Sequence, residues 1–188
     1  MTLQLRVTND SFISYRTGED ARLSIISAYR IGRTMEAREF TTHSAEETVA
    51  LGRTLAVGMF PPKLILLRGN LGAGKTTLIK GIAAGFEAAS QDEVTSPTFT
   101  LVHEYRGPTA TLYHIDLYRV DTQRELETLG LDDLMTDNSI LLIEWGEKFA
   151  RFSEERDIEI ALERVGESER RILVSAAKQI PRGKAPSE

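Results

Sequence analysis

Two stretches of this chain are apolar at every position, LILL at 64–67 and ILLI at 140–143. Runs this short and this uniform predict strands buried on both faces, as in a parallel sheet covered by helices. Around them the pattern shifts between helical and extended periods. A short strand is predicted at 39–42. The SAEE that follows at 44–47 is a capping box: the Ser44 hydroxyl can take the Glu47 amide while the Glu47 carboxylate reaches back. A helix over 45–57 comes next, with Val49, Leu51, Leu55 and Ala56 on its apolar side, and Pro61-Pro62 closes the region. Beyond the strand at 63–67 lie a glycine-rich loop and a helix reaching about residue 86. Segments 98–105 and 111–116 are rich in β-formers, with a turn at 106–110 between them. A helix is predicted over 124–135 and a buried strand over 139–143. Near the C-terminus, 157–163 alternates with period two and 171–175 does so more weakly. GESE at 166–169 separates them, which predicts a hairpin.

Composition changes this picture little. The chain has 188 residues, 41% hydrophobic and 27% charged, as for one soluble domain with one sizeable core. No apolar run approaches the roughly 20 residues that span a bilayer, and no secretory leader pattern is visible, so no membrane association is expected. Cysteine is absent, so there is neither a disulfide framework nor a thiolate metal site, which fits a cytoplasmic protein. A net charge of -5 argues against a broad nucleic-acid-binding surface. Residues 1–36 differ from the rest: Arg6, Arg16, Arg22, Arg30 and Arg33 are scattered among serines and threonines. They are expected to form an N-terminal extension, disordered or a mis-assigned start with Met35 as the true one, or else a short accessory hairpin or helix. The domain proper is expected over 37–177, and 178–188 as a flexible tail.

The loop after the first buried strand carries the chemistry. Gly69, Asn70, Leu71, Gly72, Ala73, Gly74, Lys75 and Thr76 match G-x-x-x-x-G-K-[ST] at every fixed position, with a strand before and a helix after. Glycines let successive amides turn inward onto phosphate oxygens. The helix opening at Lys75-Thr76-Thr77 adds its unpaired N-terminal amides. Lys75 is expected on the β and γ phosphates of ATP and the Thr76 hydroxyl on Mg²⁺. The fold class is accordingly α/β: a P-loop NTPase-like three-layer domain with a mostly parallel central sheet, an antiparallel hairpin and a C-terminal β-hairpin.

Hydrolysis needs more than a phosphate cradle. Mg²⁺ takes hard oxygen ligands, and an attacking water must be held in place. Asp116 in YHIDLYR and Glu144 in LLIEW stand at the ends of apolar strands, where ligand sites lie in open α/β sheets. Both would face the loop if their strands ran parallel to 63–67. Spacing leaves open which acid meets the metal and which orients water. In TSPTFT at 95–100 several hydroxyls, Thr98 among them, surround Pro97 and could sense a γ-phosphate as switch segments do. His43, His103 and His114 lack ligand-like spacing and are read as structural.

Taken together, GNLGAGKTT (69–77), SPTFTLVHEY (96–105), YHIDLYR (113–119), ELETLGLDDL (125–134) and LLIEW (141–145) resemble the bacterial TsaE (YjeE) family. The resemblance runs from about residue 39 to 176. It implies a P-loop ATPase needed for threonylcarbamoyladenosine in tRNA, using ATP and Mg²⁺ and acting on TsaB and TsaD partners, with tRNA met through that complex. It implies catalytic roles for Lys75, Asp116, Glu144 and Thr98, a metal set of Thr76, Glu144 and Asp116, and a base site near 43–45. Two alternatives stand beside it: a P-loop small-molecule kinase, for which no lid insertion is visible, and, of another class, a non-catalytic nucleotide-dependent binding module. A GTPase is disfavoured because no Asn-Lys-x-Asp element occurs.

Overall fold

The computed structural model describes residues 2–7, 11–16 and 37–176. Among these, nine strands form one mixed sheet: β1 (Thr2–Val7), β2 (Ser11–Arg16), β3 (Arg38–Thr42), β4 (Lys63–Arg68), β5 (Val102–Arg106), β6 (Thr111–Asp116), β7 (Ser139–Glu144), β8 (Ile158–Arg164) and β9 (Arg170–Ala176). Their order across the sheet is β2-β1-β3-β9-β8-β4-β7-β6-β5. The centre is parallel: β4 runs with β7 and with β8, and β6 runs with β7. Antiparallel pairs flank it, β5 with β6 on one side and β8 with β9 on the other.

The two apolar runs are β4 and β7, adjacent and central, because only a strand covered on both faces can bury every side chain. One face carries Ile65, Leu67, Leu112, Ile140 and Leu142 against helices α1 (Ala45–Ala56) and α2 (Lys75–Gly85). The other carries Leu64, Leu66, Ile115, Leu141 and Ile143 against Leu126, Phe149 and Phe152. These come from α3 (Gln123–Thr128) and from α5 (Ala150–Glu155) with its N-cap Phe149; between them lies the short α4 (Leu131–Leu134). Three layers result, with separate apolar clusters on either side of the sheet. The Ser44 cap at α1 forms as read, Glu47 N donating to Ser44 Oγ at 3.1 Å, but the Glu47 carboxylate reaches one residue further back than a capping box requires: His43 N donates to Glu47 Oε2 at 2.8 Å.

Two local expectations are corrected, and two short elements are added. The strand expected from 98 begins only at Val102, because Leu101 takes a left-handed φ of 66° and its amide turns back onto Pro97 O. The helix expected over 124–135 breaks in two at Gly130, whose φ of 59° ends the first part and caps the second. The turn Gly146–Lys148 and helix α5 were not foreseen, since six residues carry too little periodicity to read. The expected extension lies outside the described residues except for β1 and β2, which continue the sheet beyond β3. The expected tail at 178–188 lies outside them altogether. Among the described residues no helix is long and apolar enough to cross a membrane.

Candidate functional site

The carboxyl ends of β4, β6 and β7 converge on one mouth. β4 delivers the chain into the glycine loop, and its register places Asp116 of β6 directly beside Glu144 of β7. Paired residues on parallel neighbours share a sheet face. Glu144 lies in step with Leu142, on the side of α1 and α2, so both acids stand on the same side as Lys75. The expectation that the two strands run parallel to β4 is thereby met.

The loop itself is built on left-handed backbone. Gly72 and Gly74 have φ of 77° and 102°, which side-chain-bearing residues rarely adopt. Gly69 serves a different need: a Cβ there would stand 2.5 Å from Leu162 O of β8, so only glycine lets the loop lie against the sheet. Helix α2 then starts at Lys75 with Gly74 as N-cap and no side-chain cap. Its first turn, Lys75 to Thr77, lines a cavity of about 590 Å³ together with 71–74, Asp116 and Glu144. An uncapped helix start with its amides toward a cavity is an anion-receiving arrangement. Gly69 and Asn70 do not line that cavity; their carbonyls accept the Lys75 amine at 2.7 and 3.3 Å.

Around Lys75 the contacts are dense. Its Nζ is 3.8 Å from Glu144 Oε2 and 4.2 Å from the centre of the Trp145 ring. Burial pushes its pKa below the ordinary lysine value, and Glu144, Glu147 and Asp116 pull it partly back. Trp145 is held over the amine by a left-handed φ of 61° and by packing on Tyr118, with ring centroids 5.1 Å apart.

Glu144 and Asp116 have different company. Glu144 Oε1 accepts the Thr76 hydroxyl at 2.9 Å and lies 2.9 Å from His114 Nε2. Asp116 Oδ2 accepts hydroxyls from Ser96 at 2.8 Å and Thr98 at 2.7 Å, and its Oδ1 accepts the Tyr118 amide at 3.0 Å. The hydroxyl-rich segment is thus anchored to one acid and the loop threonine to the other. Among the described residues no cluster of three or more His, Asp or Glu could hold a metal unaided. Thr76 and Glu144 offer two adjacent hard oxygens, a set that suits Mg²⁺, which usually keeps several waters and completes its shell with phosphate.

Two segments distant from the glycine loop complete the cavity wall: the start of α1, where the resemblance implied a base site near 43–45, and the β8–β9 turn, which the sequence reading did not single out. Ser44, Ala45 and Thr48, at the start of α1, line one side, while His43 does not. The β8–β9 turn and the start of β9 supply Glu167, Ser168 and Arg170 to the same cavity. Arg170 crosses to the loop: its Nη2 donates to Gly72 O at 3.4 Å, and Nη1 donates to Glu169 O at 3.0 Å. No motif marks Arg170, because a hairpin about a hundred residues away must fold back to bring it there. His114, read as structural, is fully buried and touches Glu144. Its strand alternation with Asp116 was the available signal, since residues two apart on a strand share a face.

Comparison with known proteins agrees with this architecture. The profile of the family described as "Threonylcarbamoyl adenosine biosynthesis protein TsaE" matches residues 42–172. The tRNA threonylcarbamoyladenosine biosynthesis protein TsaE of Bacillus subtilis is 36% identical over 142 residues, covering 76% of this chain and 87% of the relative. TsaE of Mycobacterium bovis is 38% identical over 141 residues, covering 70% and 82%. The crystal structure of Bacillus subtilis YdiB superposes with a TM-score of 0.58 at 31% identity, covering 77% of this chain and 88% of that one. The matched span runs from the end of β3 into β9 and includes the glycine loop, both acids and the Arg170 turn. The chain belongs to the TsaE family of threonylcarbamoyladenosine biosynthesis proteins.

Proposed function

We propose that this protein is a Mg²⁺-dependent ATPase that supports tRNA threonylcarbamoyladenosine formation in the cytoplasm by acting on and resetting a TsaB–TsaD complex. The observation that carries the reading is the meeting of Thr76, Lys75 and Glu144, with a 2.9 Å hydroxyl–carboxylate bond and a 3.8 Å ion pair at the first turn of α2. In this reading the glycine-loop amides and the α2 start take phosphate oxygens. Lys75 supplies the counter-charge from a desolvated position, where a charge acts most strongly. Thr76 and Glu144 hold Mg²⁺, whose contribution when bound is to neutralise charge on the transferring phosphoryl group. Asp116 holds Ser96 and Thr98 at the mouth and orients the attacking water. Ser44, Ala45 and Thr48 face the nucleoside end. The partners proposed are TsaB and TsaD, with tRNA met through them; membership of a family of threonylcarbamoyladenosine biosynthesis proteins supports partners in that pathway.

The test is ATP turnover by the full chain, alone and with the purified TsaB–TsaD pair and tRNA. Slow release of inorganic phosphate alone and faster release with the pair support the reading. Transfer of the phosphoryl group to a metabolite, or undiminished pathway function in Glu144→Gln and Asp116→Asn, would replace it with a kinase or a binding module.

A further inference from the structure

We propose that His114 is a positioning residue that anchors the Glu144 carboxylate and so sets the site's Mg²⁺ affinity. The inference rests on the reading of Glu144 as the metal-side acid. His114 lies in the middle of β6, paired with Leu142 on β7 and His103 on β5, with its side chain fully buried. Its Nε2 is 2.9 Å from Glu144 Oε1. Among the described residues its Nδ1 is buried with no hydrogen-bond partner.

That asymmetry assigns the tautomer. A carboxylate oxygen only accepts, so the proton belongs on Nε2. Nδ1 is then a bare acceptor, less costly to bury unpaired than an N–H would be. The orphaned nitrogen also shows that this histidine is not placed to satisfy itself: a core position needing only bulk would take an apolar residue at no polar cost. What the ring gains is its single bond to Glu144.

Glu144 Oε1 has two donors, Thr76 Oγ1 and His114 Nε2, at equal distances of 2.9 Å. Thr76 is the one that the proposed site commits to metal. His114 is therefore the donor that remains with the carboxylate and fixes its orientation. Hydrogen-bond partners behind a metal-binding carboxylate commonly matter 10- to 100-fold to metal affinity or activity. Nothing places His114 on substrate: it does not line the cavity.

The experiment compares His114→Leu, His114→Gln and His114→Asn in the full chain. The glutamine amide nitrogen can stand where Nε2 stands; the leucine has no donor and the asparagine is one carbon short. Binding of ATP is titrated in EDTA and then over a range of Mg²⁺, with thermal midpoints as a control for packing. We expect His114→Leu and His114→Asn to leave metal-free ATP affinity within about twofold and to raise the half-saturating Mg²⁺ concentration roughly 10- to 100-fold. His114→Gln restores most of that loss. In a Glu144→Gln background, His114→Leu adds nothing to the Mg²⁺ requirement.

Equal weakening with and without Mg²⁺, like behaviour of all three variants, or a loss that persists in the Glu144→Gln background would each overturn the proposal. If the leucine variant does not fold, the glutamine–asparagine pair makes the same comparison. A wild-type chain that binds no ATP would overturn the nucleotide reading, and this proposal with it. A wild-type chain that binds Mg·ATP while His114→Leu leaves the Mg²⁺ requirement unchanged would overturn this proposal alone.

Discussion

Lys75 concentrates the chemistry of the site in one amine, set against two loop carbonyls, a carboxylate and an indole face. Trp145 is the sole tryptophan of the chain, so its fluorescence should report events at that amine. We expect Mg·ATP to change the emission saturably, and Lys75→Ala to abolish both the change and the binding heat. The same lysine has a signature in stability. Burial lowers its folded-state pKa below 10.5, the ordinary value that the unfolded chain keeps. Between those two values the unfolded chain holds more protons, so rising pH stabilises the fold through that window. Lys75→Met lacks this contribution. Its thermal midpoint, measured from neutral pH to about pH 10, should therefore lose ground to the wild type as pH rises. For the acids we expect Glu144→Gln and Asp116→Asn to keep appreciable nucleotide binding and to lose turnover by roughly 10²-fold, read as phosphate release under saturating ATP. Much of this was legible beforehand, because the loop, Thr76, Asp116 and Glu144 are fixed by short local patterns. Their partners were not. Spacing puts His114 on the face of Asp116, but its contact with Glu144 depends on strand register and that of Arg170 with the loop on the return of a distant hairpin, neither of which spacing along the chain reports.

At the scale of elements, the site depends on how closely α2 can approach α1. Gly52 and Gly81 form the contact: a Cβ on Gly81 would stand 2.0 Å from Val49 O, and one on Gly52 2.3 Å from Leu78 O. The two backbones touch there, and the start of α2, with Lys75 and Thr76, is fixed by that contact. Gly81→Ala gains about 1 kcal/mol of helix propensity but must push the helices apart, and overpacking of this kind costs about 1–3 kcal/mol or more. Because the clash is with backbone, the cost falls at the upper end of that range, and we expect a net loss of about 2 kcal/mol, seen as a lower urea midpoint, with weaker Mg·ATP binding because the α2 start shifts. Sequence reading found both helices but not this contact, since a glycine inside a helix looks like a weak point until its neighbour is known. The uniform apolar runs of β4 and β7 were legible for the opposite reason: burial on both faces is written into every residue of the strand. The segment at 98–101 misled because Thr, Phe and Leu are good β-formers. The bonds from Ser96 and Thr98 to Asp116 hold that segment off the sheet, and they are tertiary.

Across the whole molecule, chemistry and N-terminus occupy different parts of one sheet. The carboxyl ends of β4, β6 and β7 form the mouth, whereas β1 joins at β3, with β9 and β8 standing between β3 and β4. Part of the cavity wall comes from the β8–β9 turn, held by the seven-residue antiparallel register from Ile158↔Ala176 to Arg164↔Arg170. Strand β3 is itself tied to β9 over five residue pairs from Arg38 to Thr42. Among the described strands, β1 and β2 therefore pair with neither the strands of the mouth nor the β8–β9 hairpin. A chain begun at Met35 should fold and keep the site, because effects at distant positions with no shared partners are close to independent. It would leave β3 as the sheet edge, exposing a row of unpaired backbone groups, and edges of that kind invite self-association. We therefore expect the shortened chain to bind Mg·ATP within about twofold of the full chain, while showing a greater tendency to associate in sedimentation as concentration rises. A shortened chain that remained folded but lost nucleotide affinity would mean that the first strands reach the site through the sheet, and that the order of strands is a poor guide to what the mouth requires.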